Sequence, residues 1–415
     1  MSKINNILII EAYTDSNIGS GALVENSVSL LKNKYPDSNI IVMAHYPKAF
    51  IQRYGLNSVQ DFFHYPYKRS RIFQYLWLFN TLGWMFLSYV LPDFIRKIVY
   101  KRKLKHFYWA DLIVSVGAER INDKYIKAVV FAQYTYAIVK RMKKKLVIFP
   151  STFGPFLHNW TKFLFKKVFK NIDIVYSRDN KSQLLCNELL GEKKENFIET
   201  SDVAIFQPWS DQKKKLQEKY GRPIIGISVM EWTYVANSHE TPYSNYKAYK
   251  EQMVTLIDKI IEKYKVHVIL YPTNFLVHGG RGDDVIVCDE IYKDIEYKND
   301  TSILRDLVSP NEFKSMLSAS EINITTRMHA CILSTGAYVP TISINYLFKL
   351  KEYMDSLGLS EFSIDIEDFE HSIVFKMFEK MWADRIHWAK HTKEKIEYKK
   401  KDLNEALNYL DHLNN

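Results

Sequence analysis

A chain of 415 residues, 47% hydrophobic and 25% charged, has the makeup of a globular protein with enough length for two domains, each with its own core. A formal charge of +10 and an isoelectric point near 9.1 suit an anionic partner: a phosphorylated substrate, an anionic membrane surface or nucleic acid. Zinc-type cysteine pairing, an aromatic RNA-binding strand and a long basic arm are all missing, which sets nucleic acid aside. Cys186, Cys288 and Cys331 are odd in number and far apart, so they read as free thiols in a reducing compartment. The start, Met1-Ser2-Lys3-Ile4, runs straight into a strand pattern without a cleavable signal, and the expected location is cytoplasmic.

The first apolar run, Ile7–Ile10, is short and Ile-rich, as a buried parallel strand is. It leads through Thr14-Asp15-Ser16-Asn17-Ile18-Gly19-Ser20-Gly21 into a helical pattern reaching Leu31, and the next strand is expected over Asn39–Ala44. Further strands are predicted at Asp111–Val116, Lys145–Phe149, Ile172–Ser177, Ile224–Val229, Val266–Tyr271, Glu321–Thr325 and Thr341–Ile344, with helical patterns between most of them. Such alternation argues for two Rossmann-like α/β domains with mainly parallel sheets. A polar, Lys-rich stretch, Gln207–Arg222, marks the boundary: an N-terminal domain over 1–206, a second over 207–385, and a charged C-terminal helix over 386–415. Two polar loops in the second domain, Tyr234–Asn245 and Thr273–Asp284 with Gly279, Gly280 and Gly282, are of the kind that carries function on rigid strands.

One segment breaks the pattern. Ile72–Pro92 has no charged residue across 21 positions and is rich in aromatic rings, among them Phe73, Trp77, Phe79, Trp84 and Phe86. Lys68, Arg69 and Arg71 precede it, and Arg96, Lys97, Lys101, Arg102 and Lys103 follow. The length would reach across a bilayer, but Gln74, Asn80, Thr81 and Ser88 dilute it and both flanks are positive. The stretch from about 68 to 107 is therefore expected to be an insertion holding an interfacial helix or helical hairpin, with residues 68–103 meeting an anionic membrane surface at the inner face of the plasma membrane. An ordinary buried helical pair is the competing expectation.

The chemistry-bearing residues fall after strands. Thr326-Arg327-Met328-His329-Ala330 places a guanidinium and an imidazole two positions apart where a strand gives way to a helix, a position that favours anions. Tyr346 and Lys349 follow the next strand. Arg178, in Ser177-Arg178-Asp179-Asn180-Lys181-Ser182, holds the same position in the first half, and would face Arg327 and His329 across an interdomain cleft. The glycine loop around Gly19 permits close backbone approach to a ligand, and Glu119 and Asp123, in the turn after Val116-Gly117-Ala118, are placed to meet sugar hydroxyls. A strand end that merely caps a helix is the alternative for that turn. The chain shows no ligand cluster of metal spacing.

Five blocks in order resemble the polysaccharide pyruvyl transferase family: Asn17-Ile18-Gly19-Ser20-Gly21-Ala22-Leu23; Val116-Gly117-Ala118-Glu119 with Asp123; Pro150-Ser151-Thr152-Phe153-Gly154-Pro155-Phe156; Ser177–Ser182; and Thr326–Ala330 with Tyr346 and Lys349. Two positions depart from the usual pattern. Ser20 stands where an Asp is usual, and Ala118-Glu119 follow Gly117 where further glycines are usual. The resemblance implies a fold similar to the two-domain GT-B glycosyltransferases, with a cleft between the domains. It also implies transfer of pyruvate from phosphoenolpyruvate onto a sugar as a cyclic ketal, in surface polysaccharide biosynthesis. By the resemblance, Arg178, Arg327, His329 and Lys349 would bind phosphoenolpyruvate, with His329 and Arg327 catalytic. Asn17, Gly19, Glu119 and Asp123 would lie on the acceptor side. No metal or cofactor is expected beyond phosphoenolpyruvate as donor substrate. The aromatic, basic segment suggests a lipid-linked saccharide acceptor, and a second copy of the chain is a further candidate partner. A GT-B glycosyltransferase using a nucleotide-sugar donor, with Glu352 at the ribose, and an inactive glycan-binding or scaffold relative are the alternatives.

Overall fold

The computed structural model describes residues 4–66, 69–191, 194–232, 243–277 and 282–414. Most of the loop Tyr234–Asn245, together with Gly279, Gly280 and the basic Lys68, lies outside the described residues.

The chain divides into two compact units. Met1–Thr14, Leu23–Ser201 and Leu403–Asn415 form the first, and Asp15–Ala22 with Asp202–Asp402 form the second. The division at Ser201–Asp202 stands beside the composition shift expected near residue 207. Two short pieces have crossed over. The glycine loop belongs with the second unit, and the end of the charged C-terminal helix with the first.

The first unit is built on β1 (Asn6–Ala12), β2 (Asn39–Ala44), β3 (Ser58–Gln60), β4 (Leu112–Ser115), β5 (Ala118–Ile121), β6 (Lys145–Phe153), β7 (Ile174–Ser177) and β8 (Phe197–Glu199). They form one parallel sheet ordered β3-β2-β1-β4-β6-β7-β8, with β5 also paired to β6. Strands covered on both faces are apolar throughout, and Ile7, Leu8, Ile9, Leu112, Ile113 and Val114 are all buried. Leu8, Ile113 and Ile148 pack into one cluster with Tyr136, Phe165 and Phe169 from the covering helices. The returning C-terminal piece is tied to this body by hydrogen bonds. The Tyr176 hydroxyl donates to Ala406 O at 3.0 Å, the Tyr35 hydroxyl to Leu410 O at 3.2 Å, and Lys145 Nζ to Leu413 O.

The second unit carries β9 (Ile224–Ser228), β10 (His267–Leu270), β11 (Thr301–Ile303), β12 (Ile322–Thr325), β13 (Thr341–Asn345) and β14 (Ser363–Asp365), again all parallel, in the order β11-β10-β9-β12-β13-β14. Every predicted strand is present. The five that sequence reading missed, β3, β5, β8, β11 and β14, are three or four residues long, and none has more than one buried side chain. Runs that short have no periodicity to detect.

The aromatic insertion forms helices at Arg71–Val90, Asp93–Val99 and Lys105–Trp109. Ser70 caps the first through its side chain, accepting from Phe73 N. No helix among the described residues is long and apolar enough to cross a membrane.

Candidate functional site

At the carboxyl end of β12 the chain turns through Thr326 and Arg327 into the helix Met328–Gly336. Thr326 is pinned from two sides: its amide donates to Ser228 O at 2.8 Å, and its hydroxyl meets Tyr249 Oη at 3.0 Å. The Arg327 side chain turns inward. Its Nε donates to Asp284 Oδ2 at 3.0 Å and its Nη2 to Oδ1, forming a two-pronged pair with a fully buried carboxylate. Asp284 Oδ2 also accepts from Thr273 N at 3.2 Å, Thr273 Oγ1 at 3.1 Å and Asn274 N at 3.0 Å.

The loop fixed by Asp284 in turn holds the glycine loop. Ile18 N donates to Thr273 O and Phe275 N to Ser16 O, each at 2.9 Å, and Asn17 pairs with Asn274 as an antiparallel bridge. The helix beginning at Ile18 then presents Gly19 to the imidazole of His329. A Cβ at position 19 would lie 2.2 Å from His329 Nδ1 and 2.5 Å from its Cβ, so only glycine fits there. The contacts thus close a ring within the second unit, from Arg327 through Asp284, residues 273–275 and Gly19 back to His329. On its other edge His329 Nε2 stands 3.9 Å from Asp202 Oδ2. The Asp202 carboxylate is itself fixed, accepting from Ala204 N at 2.8 Å. The His329 side chain keeps 22% exposure, while its Nε2 is itself buried.

This geometry gives the expected site residues partners within the protein. Arg327 was expected to present its fork to a donor anion, but the Nε–Nη2 edge is committed to Asp284 because a buried guanidinium needs a counter-charge. Asn17 was expected on the acceptor side. Its Oδ1 accepts from Ser20 N at 3.0 Å, which is helix-cap chemistry, and it lies in the second unit with Gly19. Lys349 is buried at the start of the helix Phe348–Ser356, after β13, with its Nζ 6.0 Å from the centre of the Tyr346 ring.

Glu119, Asp123 and Arg178 belong to the first unit. Asp123 was expected to meet sugar hydroxyls, but its Oδ2 accepts from Leu157 N at 2.6 Å, His158 N at 2.9 Å and Thr161 Oγ1 at 2.8 Å. It anchors the start of the helix Asn159–Phe169. Glu119 Oε1 accepts from Asn122 Nδ2 at 2.8 Å. Before them, Gly117 and Ala118 both take positive φ, 85° and 94°. Arg178 Nε donates to Thr152 Oγ1 at 2.8 Å, and that hydroxyl donates to Asp179 Oδ2 at 2.9 Å. Asp179 caps the helix Asn180–Leu190 by accepting from Ser182 N, while Ser182 Oγ accepts from Phe153 N. The third and fourth sequence blocks are therefore one hydrogen-bonded corner.

Sequence reading missed Asp202 and Asp284, and a buried acid in the first unit. Glu11, the last but one residue of β1, takes a φ of 68°, and its Oε2 accepts from Ser115 Oγ and, at 2.7 Å, from Tyr136 Oη. Burial, then the Glu11 charge, pushes the Tyr136 phenol well above its usual value, so it stays a donor. Glu11 Oε1 is buried with no protein partner. A lone acid following the apolar run Ile7–Ile10 was the available signal. Among the described residues, no three His, Cys, Asp or Glu side chains come together as a metal site needs.

The two parallel sheets have solved counterparts. A glycosyltransferase from Rickettsia africae superposes with a TM-score of 0.59 at 11% identity, covering 99% of both chains. A UDP-GlcNAc 2-epimerase from Methanocaldococcus jannaschii gives 0.55 at 13%, covering 91% of this chain and 92% of the other. At such identities the likeness establishes the fold: α/β units of the GT-B glycosyltransferase and epimerase type. The sequence profile of the polysaccharide pyruvyl transferases matches residues 17–347, and the chain belongs to that family. The amylovoran biosynthesis protein AmsJ of Erwinia amylovora is 21% identical over 390 residues, covering 89% of this chain and 91% of AmsJ. As a member of that family the protein is a polysaccharide pyruvyl transferase.

Proposed function

We propose that the chain takes pyruvate from phosphoenolpyruvate and joins it to two hydroxyls of a sugar in a lipid-linked saccharide as a cyclic ketal. The observation that carries the donor assignment is the held imidazole of His329. It is partly exposed, wedged against Gly19, near the Asp202 carboxylate and at the amino end of the helix Met328–Gly336. That helix end suits an anion, and Lys349 adds a cation at the carboxyl end of the neighbouring strand β13.

In this reading protonated His329 delivers its proton to the methylene carbon of the donor as the first sugar hydroxyl bonds to the central carbon. The carbon–oxygen bond to phosphate then breaks, and the second hydroxyl closes the ring on the cation left behind. One hydroxyl proton restores the imidazolium, and the other leaves with phosphate as hydrogenphosphate. Arg327, clamped by Asp284, positions the corner on which His329 sits.

A groove in the first unit supports the lipid-linked acceptor. Met85, Tyr89, Val130, Tyr134 and Leu164 wall a space of about 570 Å³ that also meets Lys140, Arg141 and Lys167. Buried Gln133 lines it too, and both of its amide atoms lack a protein partner. Apolar walls with cations at hand suit a lipid chain that ends in phosphate.

Calorimetric titration with phosphoenolpyruvate and with a panel of nucleotide sugars tests the donor. Saturable phosphoenolpyruvate binding is expected, weakened roughly tenfold or more in Lys349→Ala. His329→Ala should keep donor binding and lose turnover by roughly 10²–10⁴-fold, read as phosphate release and acceptor mass gain. Binding of a nucleotide sugar in place of phosphoenolpyruvate would overturn the reading.

A further inference from the structure

The helix Arg71–Val90 is apolar on both faces. Its inner face seats Trp84 and Met85, with Trp84 stacked on Phe63 at 5.8 Å, and Ser88 Oγ meets Tyr134 Oη at 2.5 Å. At helical spacing the opposite face presents Ile72, Leu76, Phe79, Phe86 and Val90, and Phe79 is 81% exposed. The next helix, Asp93–Val99, continues the exposure with Phe94 and Ile98, the latter at 75%. Among the other described residues, exposed large apolar side chains form no run of this length, the nearest being Leu157, Trp160 and Phe163. A contiguous face of this kind marks an interaction site.

Charge selects the partner. Residues 69–110 contain eight lysines and arginines against one acid, Asp93, and Asp93 is paired with buried Arg96 at 3.1 Å. Arg69, Arg71, Lys97, Lys101, Arg102 and Lys103 are exposed on the flanks of the apolar face. A second copy docking through the same face would bring like charges together, which disfavours self-association. A bilayer with anionic headgroups satisfies both features, taking the rings into the boundary and the cations onto phosphate. The helix is fastened to the body through Trp84, Met85 and Ser88, so the face is a fixed platform, and it does not qualify as a crossing segment.

We infer that the exposed apolar face of Arg71–Val90 and Asp93–Val99, with its basic flanks, docks the enzyme in the headgroup layer of an anionic membrane. This inference stands apart from the donor assignment and survives its failure.

Flotation of the full chain with vesicles tests it, comparing phosphatidylcholine alone with phosphatidylcholine containing phosphatidylglycerol. The wild type should float with the anionic vesicles, and less so as salt rises. Phe79→Ser combined with Phe86→Ser should weaken that binding at least roughly tenfold. Both side chains are exposed, so the melting temperature should not move. Wild type that ignores anionic vesicles at low salt overturns the inference, as does binding unaffected by the double substitution. A wild-type dimer in sedimentation that the double substitution converts to monomer, without vesicle binding, assigns the face to a second copy instead.

Discussion

Two glycine corners, one in each unit, look alike in the sequence and serve different ends. Gly19 lies within the helix Ile18–Lys34, and no positive φ requires glycine there. What requires it is the imidazole of His329, which occupies the space a Cβ would take. Gly117 faces the opposite constraint. Its φ of 85° is a left-handed conformation, and a Cβ there would lie 2.5 Å from Pro150 O. The residue after it, Ala118, takes a φ of 94° with a side chain attached. Positive φ in a residue with a Cβ stores strain, and this is one of the places where the family usually has glycine. One corner therefore uses glycine to seat the His329 ring, and the other to bend a backbone.

The distinction breaks if the substitutions behave alike. Gly19→Ala should lower turnover by roughly 100-fold, because His329 must move to admit the methyl group. Steady-state phosphate release and thermal melting together would show an activity loss much larger than the stability loss. Gly117→Ala should act in the other sense, destabilising the chain by about 2 kcal/mol in denaturant unfolding through backbone strain and the Pro150 contact. Ala118→Gly should raise stability by about 1 kcal/mol, since it removes the strain that Ala118 carries. A melting temperature unchanged or lowered by Ala118→Gly would mean that the strain is relieved elsewhere.

Much of the scaffold was legible because buried parallel strands announce themselves as short Ile- and Val-rich runs, such as Ile224–Ser228. The corner residues Arg327, His329, Arg178 and Lys349 were legible by type and by position after strands. Their partners were not. Asp284 reaches Arg327 from 43 residues away, and Asp202 approaches His329 from still further, through crossovers that leave no local pattern. Asn17 and Asp123 make cap contacts that the sequence does not separate from sugar binding, because helix capping and sugar binding draw on the same side chains. The insertion was legible as aromatic and basic, but only coordinates could separate the face holding Trp84 from the face holding Phe79.

The crossing of Asp15–Ala22 into one unit and Leu403–Asn415 into the other has a consequence during synthesis. Domains generally fold in the order in which they leave the ribosome. Here the sheet made first cannot bond Tyr176 or Lys145 to their partners until Ala406 and Leu413 have been made. The glycine loop, made well before Thr273 and His329, waits for them before it has anything to hold. The unit that starts first therefore closes only after the second has been made, and the nascent chain carries an incomplete body and a waiting loop until Leu413 has been added.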